Sequence, residues 1–320
     1  MKRIAWLFAF IAVFCAQNLH AQSYPSKPVR LIISFTAGSS TDIVARVVMQ
    51  KVSEYWGQPA VVENRGGAGG SIGSAVVAKA APDGYTLLVN SSAHAVNPAI
   101  YASLPYDTVK DFIDVAPLSV QPNVLVVNVS SQFKTLADIV GFARAKPGAL
   151  NFGHAGVGSG THLNTERFLA AASINVTQVP FKGTPEVITA LLSDSVHCYW
   201  SPISAGMSAI KGGKLRALAV SSAKRNPTLP EIPTTGEAGV RGADSPLWFG
   251  IWAPAGTPQD IVQKISGDVR KALVDPGVRE KLQALGNDTM DMSPAEFSKF
   301  VREEMEVYQR VIKAAGIKPQ

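Results

Sequence analysis

The chain has 320 residues, 46% of them hydrophobic, and its 30 lysines and arginines exceed 24 acids for a formal net charge of +6. That length can bury one or two sizeable cores, and the cations are scattered among acids instead of gathered in a run, which excludes a nucleic-acid groove. With only Cys15 and Cys198, a disulfide-stapled scaffold is excluded too.

The chain opens with a leader. Lys2 and Arg3 precede an apolar run over residues 4–16 and a stretch ending Leu19-His20-Ala21, the pattern of a secretory signal. Cleavage is expected after Ala21, removing residues 1–21 and leaving 28 cations against 24 acids, or +4, with Cys198 as the one remaining cysteine. The apolar run is too short to span a bilayer, and bulky Phe14 before Cys15 argues against a lipoprotein.

Strands are expected at 29–35, 60–63 and 86–90, separated by helices at 41–55 and 71–80. Strand–helix alternation implies a parallel sheet, and in the 2-1-3 order its ligand crevice opens at the carboxyl ends of the first and third strands. The first end is the turn Thr36-Ala37-Gly38-Ser39-Ser40-Thr41, where Ser40 or Thr41 is expected to cap a helix and the first backbone N–H groups face outward. With the positive end of the helix dipole behind them, such groups cradle an anion. Expected ligand contacts are therefore Phe35, Thr36, Gly38, Ser39, Ser40, Thr41 and Asp42, with Ser91, Ser92 and His94 from the third strand's end. For Asp42, stabilising the helix start is an equal reading to contacting a ligand amine.

Val124-Leu125-Val126-Val127 reads as a strand leaving the first domain, and a second α/β series follows. Its expected elements are a helix at 136–145, a strand at 150–153, a helix at 162–172, a strand at 176–181, a helix at 185–193, a strand at 196–200, a helix at 205–211 and a strand at 215–220. A second glycine- and hydroxyl-rich turn follows 150–153 and supplies His154, Gly156, Val157, Gly158, Ser159 and Thr161. Phe181, Lys182 and Trp200 stand at or just past strand ends on the cleft side. A proline-rich linker, 227–233, leads to a return strand within 245–254, and helices at 258–273, 276–285 and 294–315 are expected to pack on the first domain. The expected architecture is two doubly wound α/β domains joined by a hinge: 22–123 with 246–320, and 124–245.

Three sharper motifs fail on spacing. Residues 65–73 look like a dinucleotide fingerprint, but from Gly67 and Gly69 the third glycine position holds Ile72, so the loop reads as a tight turn at the cleft rim. Ser159 with His154 and His162 suggests an exported serine hydrolase, yet the G-x-S-x-G elbow is absent. His94, His154 and His162 lack the spacing of a metal site, so no metal or cofactor is expected.

The runs Tyr24-Pro25-Ser26-Lys27-Pro28, Val62-Glu63-Asn64-Arg65, Ala81-Pro82-Asp83-Gly84-Tyr85, Leu104-Pro105-Tyr106-Asp107, Lys182-Gly183 and Ala253-Pro254-Ala255-Gly256-Thr257-Pro258 fall in order along the mature chain. In these the chain resembles the solute-binding receptors of tripartite tricarboxylate transporters, the Bug family. The resemblance implies a non-catalytic periplasmic Venus-flytrap receptor that closes on a small carboxylate and passes it to membrane permease subunits, working as a monomer. The chain departs from the family pattern with Thr36, Ala37 and Ser39 where prolines and a second glycine are usual. It also has His154 where serine is common, and Ser201 where many members carry an aspartate that pairs with an amino group. The ligand implied is a dicarboxylate or aromatic carboxylate without an ammonium, flanked by His154, Phe181 and Trp200. The alternatives are an amino-acid or tricarboxylate receptor, and a subunit that presents its ligand to a sensor.

Overall fold

A computed structural model describes residues 24–314, 316 and 317, so the expected leader, its cut and Cys15 lie outside the described residues. The first sheet begins with β1 (Val29–Ile33), β2 (Ala60–Asn64) and β3 (Thr86–Ser91), linked through helices α1 (Ser40–Trp56), α2 (Ser71–Ala78) and, after β3, α3 (Ala93–Ile100). β1 pairs in parallel with both β2 and β3, the expected 2-1-3 order. Next come β4 (Phe112–Gln121) and, much later in the chain, β10 (Leu247–Pro254), which runs antiparallel between β3 and β4. The short β11 (Asp288–Thr289) closes the edge beyond β4.

Alternation along these strands loads both faces of the sheet. Leu31, Ile33, Leu87, Val89, Phe249 and Ile251 pack under α1, α8 (Gln259–Leu273) and α9 (Pro276–Ala284). Ile32, Leu88, Trp248 and Trp252 take the other face with α3 and α10 (Pro294–Ala314), whose Phe297, Val301, Tyr308 and Ile312 form the amphipathic stripe expected to dock on this domain. Three of these elements were not expected from sequence: α3, which contains Pro98, β4, which contains Pro117, and the two-residue β11. Pro117 is accommodated opposite Gly250, where the β4–β10 register slips, so the missing N–H costs the ladder little.

The second sheet repeats the plan. β5 (Asn123–Asn128) enters it, followed by α4 (Leu136–Ala145), β6 (Asn151–His154), α5 (Gly160–Ala172), β7 (Thr177–Pro180), α6 (Thr184–Leu192), β8 (Cys198–Pro202), α7 (Ile203–Lys211) and β9 (Leu215–Val220). Its order is β7-β6-β8-β5-β9, with β6 parallel to β7 and β8, and β5 antiparallel to β8 and β9. In each sheet the antiparallel strand beside the 2-1-3 core is the one that has just crossed from the other domain. The crossings are knitted together: Asn123 N–H donates to Ser221 Oγ (3.0 Å), Ser221 N–H to the Asn123 carbonyl (2.8 Å) and Ser245 N–H to the Ser221 carbonyl (3.0 Å). Among the described residues no helix is long and apolar enough to cross a membrane.

Candidate functional site

Two copies of one local structure build the site. After β1 the chain turns through Thr36-Ala37-Gly38-Ser39, with Ser39 N–H donating to the Thr36 carbonyl at 3.1 Å, and α1 begins. After β6 it turns through Gly156-Val157-Gly158-Ser159, with Ser159 N–H donating to the Gly156 carbonyl at 3.1 Å, and α5 begins. Each serine is the N-cap of its helix: Asp42 N–H donates to Ser39 Oγ (3.4 Å) and His162 N–H to Ser159 Oγ (3.2 Å). The first cap is thus Ser39 and not Ser40 or Thr41, because α1 starts one residue earlier than expected. Ile43 and Leu163 N–H groups donate to the Ser39 and Ser159 carbonyls. What each helix start leaves over is the N–H pair of Ser40 and Thr41, and of Gly160 and Thr161.

Both helix starts line one small cavity of about 20 Å³ at the domain interface. Ser39, Ser40, Thr41, Ser91, Ser159, Thr161 and Thr184 supply its hydroxyls, and Phe35, Ala155, Pro202, Leu247 and Phe249 its apolar wall. No lysine, arginine, histidine or acid is among its lining residues. Ser40 is only 3% exposed and its Oγ meets no protein partner. A buried hydroxyl in that state costs about 1–3 kcal/mol until it is paired, so Ser40 Oγ is free to hydrogen-bond a molecule in the cavity. Thr161 Oγ1, by contrast, accepts from Ala155 N–H and lies 3.0 Å from Ser159 Oγ, which orders the second cradle internally.

Several expected contacts lie elsewhere. Trp200 is fully buried against Phe168 in the second domain's core: β8 runs on to Pro202, so Pro202 takes the strand-end position assigned to Trp200. Ser201 is buried on the opposite face of β8, where its hydroxyl donates to the Pro202 carbonyl. His94 points from α3 into the first domain's core, between Phe112 and Trp252. Ser92 lies beside Gly160 but is not part of the cavity wall. Lys182 is exposed, and Phe181 packs against the cluster around Val187. Asp42 turns inward and accepts from Gly38 N–H (3.0 Å), Arg46 Nε (3.0 Å) and Asn64 Nδ2 (3.0 Å), so it braces the first turn. Burial opposes ionisation of Asp42, but these three donors outweigh it and hold its pKa below the ordinary value.

His154 also misses the cavity wall and stacks on His162, ring centroids 4.6 Å apart. Burial lowers the pKa of His154 to about 4 and that of His162 to about 3, so both rings are neutral at pH 7. His162 Nδ1 accepts from Gly158 N–H (3.4 Å) while Nε2 faces Glu166 at 3.5 Å, which fixes its tautomer. Among the described residues no three side chains are grouped to hold a metal ion.

Glycines 156 and 158, Val157, Thr36 and Gly38 form the seam around the cavity. Gly183 leaves room for Thr36: a Cβ there would lie 2.0 Å from Thr36 Oγ1. Gly38 approaches Pro185, and the 65–73 loop meets the second turn, its Gly69 directly under the Val157 carbonyl. The structure is a closed form, and the glycine-rich loop is part of its rim. Sequence reading did not single out Ala155 and Gly160, which sit inside the expected turn, or Thr184, at a helix start. Pro202, Leu247 and Phe249 carry no local signal, because only the folded topology brings β8 and β10 to this point.

The model of the tripartite tricarboxylate transporter family receptor matches residues 44–317. The chain belongs to this family. Among its relatives is the UPF0065 protein in the tcbD–tcbE intergenic region of Pseudomonas sp. (strain P51), 36% identical over 298 residues, which are 93% of this chain and 88% of the other. Among solved structures, a Rhodopseudomonas palustris protein with adipate superposes with a TM-score of 0.90, at 35% identity over 93% of this chain and 100% of the other. The protein MatC of the same organism, with bound malate, gives 0.86 at 32% identity over 90% and 100%. Tripartite tricarboxylate receptors are solute-binding proteins, so this chain is a receptor and not an enzyme, and the Ser159 hydrolase reading is set aside.

Proposed function

We propose that this receptor works in the periplasm, captures a short aliphatic dicarboxylate lacking an amino group, and delivers it to the membrane subunits of a tripartite tricarboxylate transporter. The observation that carries the reading is the pair of helix starts facing one cavity, each with two unspent N–H groups and with no acid in the cavity wall. Two anion cradles suit two carboxylates, and charge-assisted hydrogen bonds in a water-excluded cleft are about twice as strong as neutral ones. Phe35, Leu247 and Phe249 suit a methylene chain between them. An ammonium group would meet no carboxylate in the cavity wall. Trp200 and His154, the surfaces expected to flank an aromatic body, face away from it. Relatives solved with adipate and malate support the same ligand class.

A thermal-shift screen of the mature protein against aliphatic dicarboxylates, tricarboxylates, amino acids and aromatic carboxylates tests this. A ligand at 100 times its Kd adds about 2.7 kcal/mol to native stability. The expected result is a shift led by non-amino aliphatic dicarboxylates. A shift led by amino acids or aromatic carboxylates would overturn the assignment of the cargo.

A further inference from the structure

We infer that Leu163, Val157 and Tyr101 form a latch that holds the domains shut without touching the ligand, and thereby sets how long the ligand stays bound. The inference rests on the receptor reading above. Leu163 lies on α5, two residues beyond Thr161, yet it does not join its own domain's core. It is 2% exposed and belongs to an apolar cluster whose other buried members, among them Val96, Ile100, Trp248 and Tyr308, all come from the first domain. Val157, at the tip of the second turn, packs on the same cluster. Its carbonyl accepts a hydrogen bond from Tyr101 O–H at 2.9 Å, across the cleft. The same carbonyl sits so close to the 65–73 loop that a Cβ on Gly69 would lie 2.1 Å from it.

None of the three side chains lines the cavity. All three contacts join the two domains, so opening the cleft breaks each of them. Leu163 and the Gly160 and Thr161 amides ride on one rigid helix, and the second cradle therefore cannot leave a ligand without pulling Leu163 out of the first domain. The contacts exist whatever the ligand is, so they add the same increment to every ligand. They act on the open–closed equilibrium, hence on dissociation, and leave selectivity to the cavity. Because no ligand atom takes part, the unliganded receptor already populates the closed form.

Leu163→Ala and Tyr101→Phe test this, the second variant removing one hydroxyl at a half-buried site where folding is not at stake. Stopped-flow measurements with the dicarboxylate that stabilises the wild type most should show the dissociation rate rising roughly 10- to 100-fold for Leu163→Ala and several-fold for Tyr101→Phe. The rank order of ligands should be unchanged, and the association rate should be no lower than the wild type's, because the open form admits the ligand. In parallel, the distance between spin labels placed on the two domains of the unliganded proteins should lengthen in both variants. Wild-type dissociation rates, or unliganded distances identical to the wild type in both variants, would overturn the latch. If no carboxylate binds the wild type, the cargo assignment fails while the unliganded distances still decide the latch.

Discussion

Ser40 is where the physical case for a carboxylate is most local. Its neighbour Ser39 spends its hydroxyl on the Asp42 N–H, and Ser159 spends the equivalent hydroxyl on the His162 N–H, but Ser40 Oγ has no such task. Ser40→Ala should therefore weaken carboxylate binding by about 1.5–3 kcal/mol, the range for a hydrogen bond to a charged group, and raise the unliganded melting temperature, because it removes a buried hydroxyl that has no partner. Calorimetry and a melt on the same variant check this, and equal affinity in variant and wild type would remove Ser40 from the site. Ser159→Ala is a poorer probe, since loss of an N-cap costs about 1 kcal/mol of stability in addition to any ligand contact. The serines were legible in the sequence because a small hydroxyl after an apolar run has few other uses. Trp200 was misplaced because its strand runs two residues further than the apolar pattern does, ending in Ser201 and Pro202.

At the scale of elements, the strand–turn–helix units that build the cleft also carry three buried histidines. His94 follows β3, His154 ends β6 and His162 opens α5, and burial lowers their pKa values to about 3, 4 and 3. Each unfolded histidine protonates near pH 6.5, whereas the folded ring resists until about pH 4 or 3. The stability they contribute is thus complete above pH 6.5 and is lost as the pH falls toward 4. By linkage each contributes a loss of about 2 kcal/mol at pH 5 relative to pH 7. Urea unfolding at the two pH values should show a loss of several kcal/mol, and equal stabilities would contradict neutral burial of these rings. The paired units were readable from their strand–turn–helix rhythm, as was the 2-1-3 order. The helix α3 and the strand β4 were not, because Pro98 and Pro117 sit inside them and local rules read proline as a break.

For the whole molecule, the two crossings explain why the site forms where it does. β5 and β10 each complete the other domain's sheet, so the carboxyl ends of both parallel cores meet at one interface, with Leu247 and Phe249 of β10 closing the hinge side. Sequence reading reached the two lobes and their cradles. It could not reach the back wall, because Leu247 and Phe249 become neighbours of Ser40 and Ser159 only through that topology. The closed seam, with Gly69 under Val157 and Gly183 against Thr36, shows that shape and not charge carries much of the fit between lobes. The most direct test of the account is a crystal structure of the mature receptor with the aliphatic dicarboxylate that stabilises it most. The account predicts one carboxylate within about 3 Å of the Ser40 and Thr41 N–H groups and Ser40 Oγ, and the other on the Gly160 and Thr161 N–H groups, directly or through one water. A ligand held instead by Lys182, or stacked on Trp200 with both helix starts left free, would contradict it.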